Sequence, residues 1–108
     1  MNDDSKECVI ARNNEQVIGF IELSLRSIVD GCDSSPVAYI EGWYIDSDSR
    51  SKDVGKSLLD SAEAWAKEMD CIEIGSDSEI ENKDFIQIHR NLGFEVVDRV
   101  VQFRKRIK

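Results

Sequence analysis

Apolar and polar residues along the 108-residue chain follow two different periods. The short apolar run Cys8-Val9-Ile10-Ala11 is followed by a longer one over residues 17–25, with Asn13-Asn14 as a turn signal between them. This pattern predicts two strands joined as a β-hairpin. In the longer run Ile21, Leu23 and Leu25 alternate with Glu22, Ser24 and Arg26, the period of a strand buried on one face. Residues 30–36 are polar and predict a loop, and residues 37–45 predict a third strand, apolar on both faces apart from Glu41. By period two, Val37, Tyr39, Glu41, Trp43 and Ile45 share one face, which sets Glu41 beside aromatic side chains.

The period then changes. After the polar residues 46–53, Val54, Leu58, Ala62, Trp65 and Met69, with Leu59 and Ala66 beside them, recur every three or four positions as one stripe of a helix. Ile72-Glu73-Ile74 predicts a short strand, and residues 82–92 a shorter helix with Phe85, Ile88 and Leu92 inward, stopped by Gly93. Residues 94–106 predict a final strand pair or one long bent strand. The order β-β-β-α-β-α-β(-β) is an α/β fold of the α+β type, with a mixed, mostly antiparallel sheet and two helices. One proline and no Gly/Ser linker or repeat predict a single domain over residues 1–108.

Composition narrows the chemistry. Hydrophobic residues at 41% and charged residues at 33% describe a soluble domain with a core. Fourteen basic against 22 acidic side chains give a net charge of -8, which argues against nucleic acid as a partner. Arg104, Lys105, Arg106 and Lys108 concentrate positive charge at the C-terminal end, and without them 10 basic face 22 acidic side chains. Such an acidic body suits a cationic small molecule. No apolar run approaches the roughly 20 residues of a membrane span, so no membrane partner is expected. The acidic start Met1-Asn2-Asp3-Asp4 resembles no export or transit signal. Three cysteines without CxxC spacing predict neither a disulfide framework nor zinc, and a reducing cytoplasm is the expected location. They read as small buried hydrophobes. With His89 as the one histidine, no metal site is expected.

The segment Arg50-Ser51-Lys52-Asp53-Val54-Gly55-Lys56-Ser57 enters the first helix with three cations. Backbone N–H groups and the dipole at a helix start favour a bound anion such as a pyrophosphate. Taken alone, the same loop also reads as a solvated turn. It resembles, however, the R-x-x-G-x-G/A signature of the GCN5-related N-acetyltransferases. His89-Arg90-Asn91-Leu92-Gly93-Phe94 resembles the Y-x-x-x-G-F segment of that family. Gly31 to Val37, Glu41-Gly42, Ser76-Asp77, Glu81-Asn82 and Arg99 to Arg106 are similar to the bacterial aminoglycoside 6'-N-acetyltransferase branch, in which a histidine at the position of His89 is usual. The resemblance runs from about Val9 to Lys108.

It departs from the family twice. The first glycine of the loop signature is Asp53, whose carboxylate either repels the pyrophosphate or serves as an N-cap. Members also normally begin with a strand and one or two helices ahead of the hairpin, so the resemblance implies an N-terminally short domain.

The resemblance implies acetyl-CoA as cosubstrate and transfer of its acetyl group to the 6'-amine of an aminoglycoside by direct attack in a ternary complex. Glu41 would bind the acceptor amine and take its proton, or else serve as a structural ion pair. Asp77 would be a second acidic contact to the acceptor, or a turn cap, and Trp43 a cation–π contact, or a core residue. Backbone groups of Trp43, Tyr44 and Ile45 would pair with the pantetheine arm. Arg50, Lys52, Asp53, Val54, Gly55, Lys56 and Ser57 would form the pyrophosphate loop. Asn82 would lie near the CoA arm or be a helix cap. His89 would protonate the leaving thiolate or be structural. A homodimer through the C-terminal strands is implied as well. Two alternatives stay open: another polyamine or protein amine as acceptor, and a shortened relative that folds, pairs and catalyses little.

Overall fold

A computed structural model of the chain describes residues 5–50 and 53–108. The chain divides into two compact units, Met1–Asp77 and Ser78–Lys108. The first holds strands β1 (Lys6–Asn13), β2 (Gln16–Arg26) and β3 (Val37–Ile45), a single 3-10 turn (Ser47–Ser49), helix α1 (Val54–Glu68) and the short strand β4 (Ile74–Gly75). The sheet order is β1-β2-β3-β4. β1, β2 and β3 pair antiparallel, and β4 runs parallel to β3 through Ala38–Ile74 and Tyr39–Gly75. The expected hairpin turns at Asn14, whose φ of 57° suits an asparagine.

Against β2, Leu23 faces Ile40 while Glu22 faces Gly42, so Glu41 is an extra residue in β3. This β-bulge overturns the expected sharing of one face by Val37, Tyr39, Glu41, Trp43 and Ile45. Directly opposed residues point to the same side of a sheet, and successive residues to opposite sides. Ala38, Ile40, Trp43 and Ile45 therefore project with Ile21 and Leu23, whereas Val37, Tyr39 and Tyr44 project with Arg26, Ser24 and Phe20. The inserted residue reverses the alternation halfway along the strand.

α1 covers the Ile21 side. Leu58, Leu59, Ala62, Trp65 and Ala66 are its buried residues and, with Ile21, Leu23, Ala38 and Ile40, form most of the core. Gly55 lets the helix start close to β3: a Cβ there would stand 2.9 Å from Ile45 Cδ1. α1 ends in a Schellman motif, with Cys71 N–H on the Ala66 carbonyl, Asp70 N–H on that of Lys67, and Asp70 at φ 63°.

The second unit contains helix α2 (Lys83–Asn91). The Asn82 side chain caps its start by accepting from Phe85 N–H at 3.1 Å. The end is again a Schellman motif: Phe94 N–H reaches the His89 carbonyl, Gly93 N–H reaches that of Arg90, and Gly93 has φ 98°. The expected closing strands do not form, since residues 94–108 carry no assigned strand. A strand exists only through hydrogen bonds to a neighbour, and β propensity in this apolar-cationic segment supplies none. Val101, Phe103 and Ile107 are 72%, 92% and 90% exposed. Among the described residues no helix is long and apolar enough to cross a membrane.

Candidate active site

Glu41 is the strand acid that hydrophobic patterning singles out, and the bulge gives it its direction. Its carboxylate turns to the side of the sheet opposite α1, where Ser24 Oγ donates to Oε2 at 3.1 Å. Arg26 Nη2 donates to both carboxylate oxygens, at 2.5 and 2.8 Å. The pair is partly open to solvent, with the arginine side chain 43% and the glutamate side chain 35% exposed. The guanidinium lies over the Tyr39 ring, 3.7 Å from its centroid. The Tyr39 hydroxyl in turn donates to Asp77 Oδ2 at 2.6 Å. Burial, the bond to Asp77 and the Asp77 charge raise the Tyr39 phenol far above its ordinary range, so it stays a donor.

The two acids expected at the acceptor site are therefore joined through Arg26 and Tyr39, neither of which sequence reasoning assigned to the site. The signal for Arg26 was its place in the polar row Glu22, Ser24, Arg26. That row also borders an open groove of about 530 Å³ lined by Lys6, Glu7, Cys8, Glu22, Leu23, Ser24 and Glu41.

Trp43 is not beside Glu41. Its ring side chain lies on the α1 side, where Trp43 Cζ2 is 3.8 Å from the position of a Gly55 Cβ. Asp46 N–H bonds to the Ile18 carbonyl at 2.7 Å. The alternation of antiparallel pairs then turns the Tyr44 backbone toward β2, and that of Trp43 and Ile45 toward the opposite edge. β4 pairs with Ala38 and Tyr39 only, so no described strand takes up this edge beyond them. The Ile45 carbonyl there accepts from Arg50 Nε at 3.0 Å. Tyr44 offers its ring, which stacks with Phe20 at 5.9 Å between centroids.

The expected pyrophosphate loop leads into α1. Asp53 is the N-cap residue, at φ 60° and ψ 18°, and its side chain makes no capping hydrogen bond. The backbone thus takes the left-handed shape that favours glycine, which explains the glycine in the family signature. The first turn of α1 holds no acidic residue, so its N–H groups at Val54, Gly55 and Lys56 suit an anion. Lys56 Nζ is paired with Asp60 at 3.1 Å, and Ser57 is exposed. Lys52 lies outside the described residues.

In the second unit His89 is buried between Phe85 and Phe94, with ring centroids 4.4 and 4.9 Å away and both contacts edge-on. Nδ1 is 2.9 Å from the Phe85 carbonyl. A carbonyl only accepts, so Nδ1 carries the proton in this contact. The Gly-Phe of the signature is explained by the Schellman motif, which folds Phe94 back onto His89.

Glu73 anchors the loop before β3 by accepting from Asp33 N–H at 2.9 Å, from Ser34 N–H at 2.7 Å and from the Ser34 hydroxyl. The hydroxyl bond, the largest influence, holds its carboxyl below the usual range. Of the cysteines only Cys71 is buried; Cys8 is exposed and Cys32 intermediate, contrary to expectation, because Cys8 stands on the solvent side of β1 beside Glu22.

Comparison with known proteins agrees with this geometry. The model of the Acetyltransferase (GNAT) family matches residues 1–94. The aminoglycoside N(6')-acetyltransferase type 1 of Stenotrophomonas maltophilia is 41% identical over 90 residues, covering 82% of this chain and 59% of that protein. The enzyme of the same name from Acinetobacter haemolyticus is 37% identical over 100 residues, covering 92% and 69%. The chain thus spans about three fifths to two thirds of the length of these relatives. Among solved structures, AAC(6')-Iy in complex with the bisubstrate analog CoA-S-monomethyl-acetylneamine superimposes with a TM-score of 0.91 at 37% identity, covering 96% of this chain and 71% of that one. The apo structure of aminoglycoside antibiotic 6'-N-acetyltransferase AAC(6')-IG from Acinetobacter haemolyticus gives 0.90 at 34% identity, covering 98% and 74%. With its family signatures explained by the backbone at Asp53 and Gly93, the chain belongs to the GNAT acetyltransferase family.

Proposed function

We propose that the chain is an acetyl-CoA-dependent N-acetyltransferase that acetylates the 6'-amine of an aminoglycoside by direct attack in a ternary complex. The observation that carries this reading is the arrangement along β3, where an acid turned to one side by a bulge is followed by an open strand edge and then an uncapped helix start. The relatives that bear the aminoglycoside name support the acceptor class.

Acetyl-CoA supplies the activated acyl carbon when bound. The first-turn N–H groups of α1 and the cation of Arg50 suit its pyrophosphate, and the edge of β3 at Trp43 and Ile45 suits an extended amide-bearing arm. Glu41 and Asp77 hold acceptor ammonium groups by charge-assisted hydrogen bonds. Glu41 takes the proton released when the amine attacks, and the departing sulfur needs a proton in return, the role that the family resemblance gives His89. Asn82 acts as the α2 cap that fixes the start of the helix carrying His89. The exposed apolar residues of the C-terminal segment support pairing of two copies through that segment. Three free thiols support a reducing location such as the cytoplasm.

A second reading, a relative that binds and pairs but catalyses little, is favoured by two observations: Arg26 already occupies Glu41, and Asp53 sets a carboxylate at the anion site. Thiol release from acetyl-CoA with kanamycin as acceptor separates the two. Turnover that falls by roughly a hundredfold or more in Glu41→Gln is expected for the first reading. CoA binding without thiol release from any amine overturns it in favour of the second.

A further inference from the structure

Arg26 links the two acids of the proposed acceptor site, the first directly and the second through Tyr39. Its guanidinium bonds to both oxygens of Glu41 and stacks on the ring whose hydroxyl holds Asp77. The two acids are therefore not equivalent. Glu41 is matched by a full positive charge, whereas Asp77 receives a neutral hydroxyl, so its charge is hydrogen-bonded but not balanced by that contact.

An amine approaching Glu41 must displace or share Arg26. For a molecule with one ammonium this exchanges one ion pair for another of the same kind and gains little. For a molecule with several ammonium groups the exchange at Glu41 is accompanied by a new ion pair at Asp77. We propose that Arg26 is an internal competitor for Glu41 that lowers the affinity of the site for every amine, so that an acceptor needs a further ammonium group for Asp77 to bind appreciably. The arginine is suited to this by its surroundings. It is held in place by Tyr39 rather than by burial, and its 43% exposed side chain has room to leave. The planar guanidinium keeps its stacking contact when one N–H bond is given up, which an ammonium on a lysine stem does not do.

The inference rests on the acceptor site proposed above. Its test is calorimetric titration of the full chain with kanamycin, a polyamine, and with 6-amino-6-deoxyglucose, a monoamine carrying the same reacting group. Arg26→Gln removes the competitor's charge, Arg26→Lys retains it, and thermal melting and CoA binding verify folding. In the original chain kanamycin is expected to bind far more tightly than the monoamine. In Arg26→Gln both amines are expected to gain about three- to tenfold, the range for a partly exposed ion pair, which brings the monoamine into the measurable range. Arg26→Lys is expected to restore most of the weaker binding.

A purely structural arginine would leave both affinities unchanged or weaker on replacement, and either result in a folded Arg26→Gln variant overturns the proposal while leaving the acceptor site standing. Failure of both amines to bind either protein, with CoA still bound, overturns the acceptor reading and this one with it. Binding of the monoamine to Arg26→Gln but not measurably to the original chain, which still binds kanamycin, supports it in its strongest form.

Discussion

Asp53 holds its backbone at φ 60° and ψ 18° without using its carboxylate as a cap. A residue with a Cβ loses roughly 1 kcal/mol or more in this conformation, and glycine avoids it. The carboxylate also adds a negative charge next to N–H groups that favour anions. Asp53→Gly is therefore expected to improve two properties at once. Thermal unfolding should shift upward by about 1 kcal/mol, or roughly 4 °C, and CoA should bind about threefold or more tightly when measured by titration. Equal CoA affinities in the two proteins would show that the carboxylate points away from the anion and that the substitution matters to the fold alone. Glu41 stands out in the sequence as a lone acid in an apolar strand, and Asp77 follows only from the family resemblance of Ser76-Asp77. Arg26 does not, because a charged residue alternating with apolar ones looks the same in sequence whether water or a carboxylate receives it. Only the register of β2 against β3 reveals which.

Both helices stop in the same way, with a left-handed residue followed by a chain that folds back, yet the two stops are filled differently. Gly93 at φ 98° is suited to its place, and Asp70 at φ 63° is not. Opposite effects follow: Gly93→Ala should destabilise the protein by about 1 kcal/mol and Asp70→Gly should stabilise it by a similar amount. Urea unfolding of the two variants measures both, and a stabilising Gly93→Ala would contradict the cap geometry. The elements themselves were largely legible. β3 matches its expected bounds, 37–45, because an apolar run broken only by Glu41 lies between Pro36 and a polar segment, and α1 buries the middle of its expected stripe, Leu58, Leu59, Ala62, Trp65 and Ala66, while Val54 and Met69 at its two ends are only half-buried. The fourth strand shrank to Ile74–Gly75 since its pairing with β3 ends after two residues. The bulge was invisible, because counting by twos presupposes that every residue has an opposite number.

Across the whole sequence, an acidic majority is followed by an apolar-cationic C-terminal segment. Residues 94–108 contain six exposed large apolar side chains that no strand of their own chain shields: Val96, Val97, Val100, Val101, Phe103 and Ile107. If they mediate pairing of two copies, Val101→Asp combined with Phe103→Asp should convert a dimer to a monomer in sedimentation velocity with little change in the melting of the remainder. A monomeric original chain would sink that expectation. The bulge in β3 has its own consequence at this scale. Most strands tolerate exchange of one residue for another far better than loss of one, and here the asymmetry is extreme. Removing Glu41 altogether would put the two halves of β3 back in phase, exchanging inside for outside from Gly42 onward. Trp43 and Ile45 would leave the helix they pack against, and Tyr44 would take their place. The same position thus works as a punctuation mark as well as a reactive group, and a one-codon deletion there should be far more damaging than any substitution.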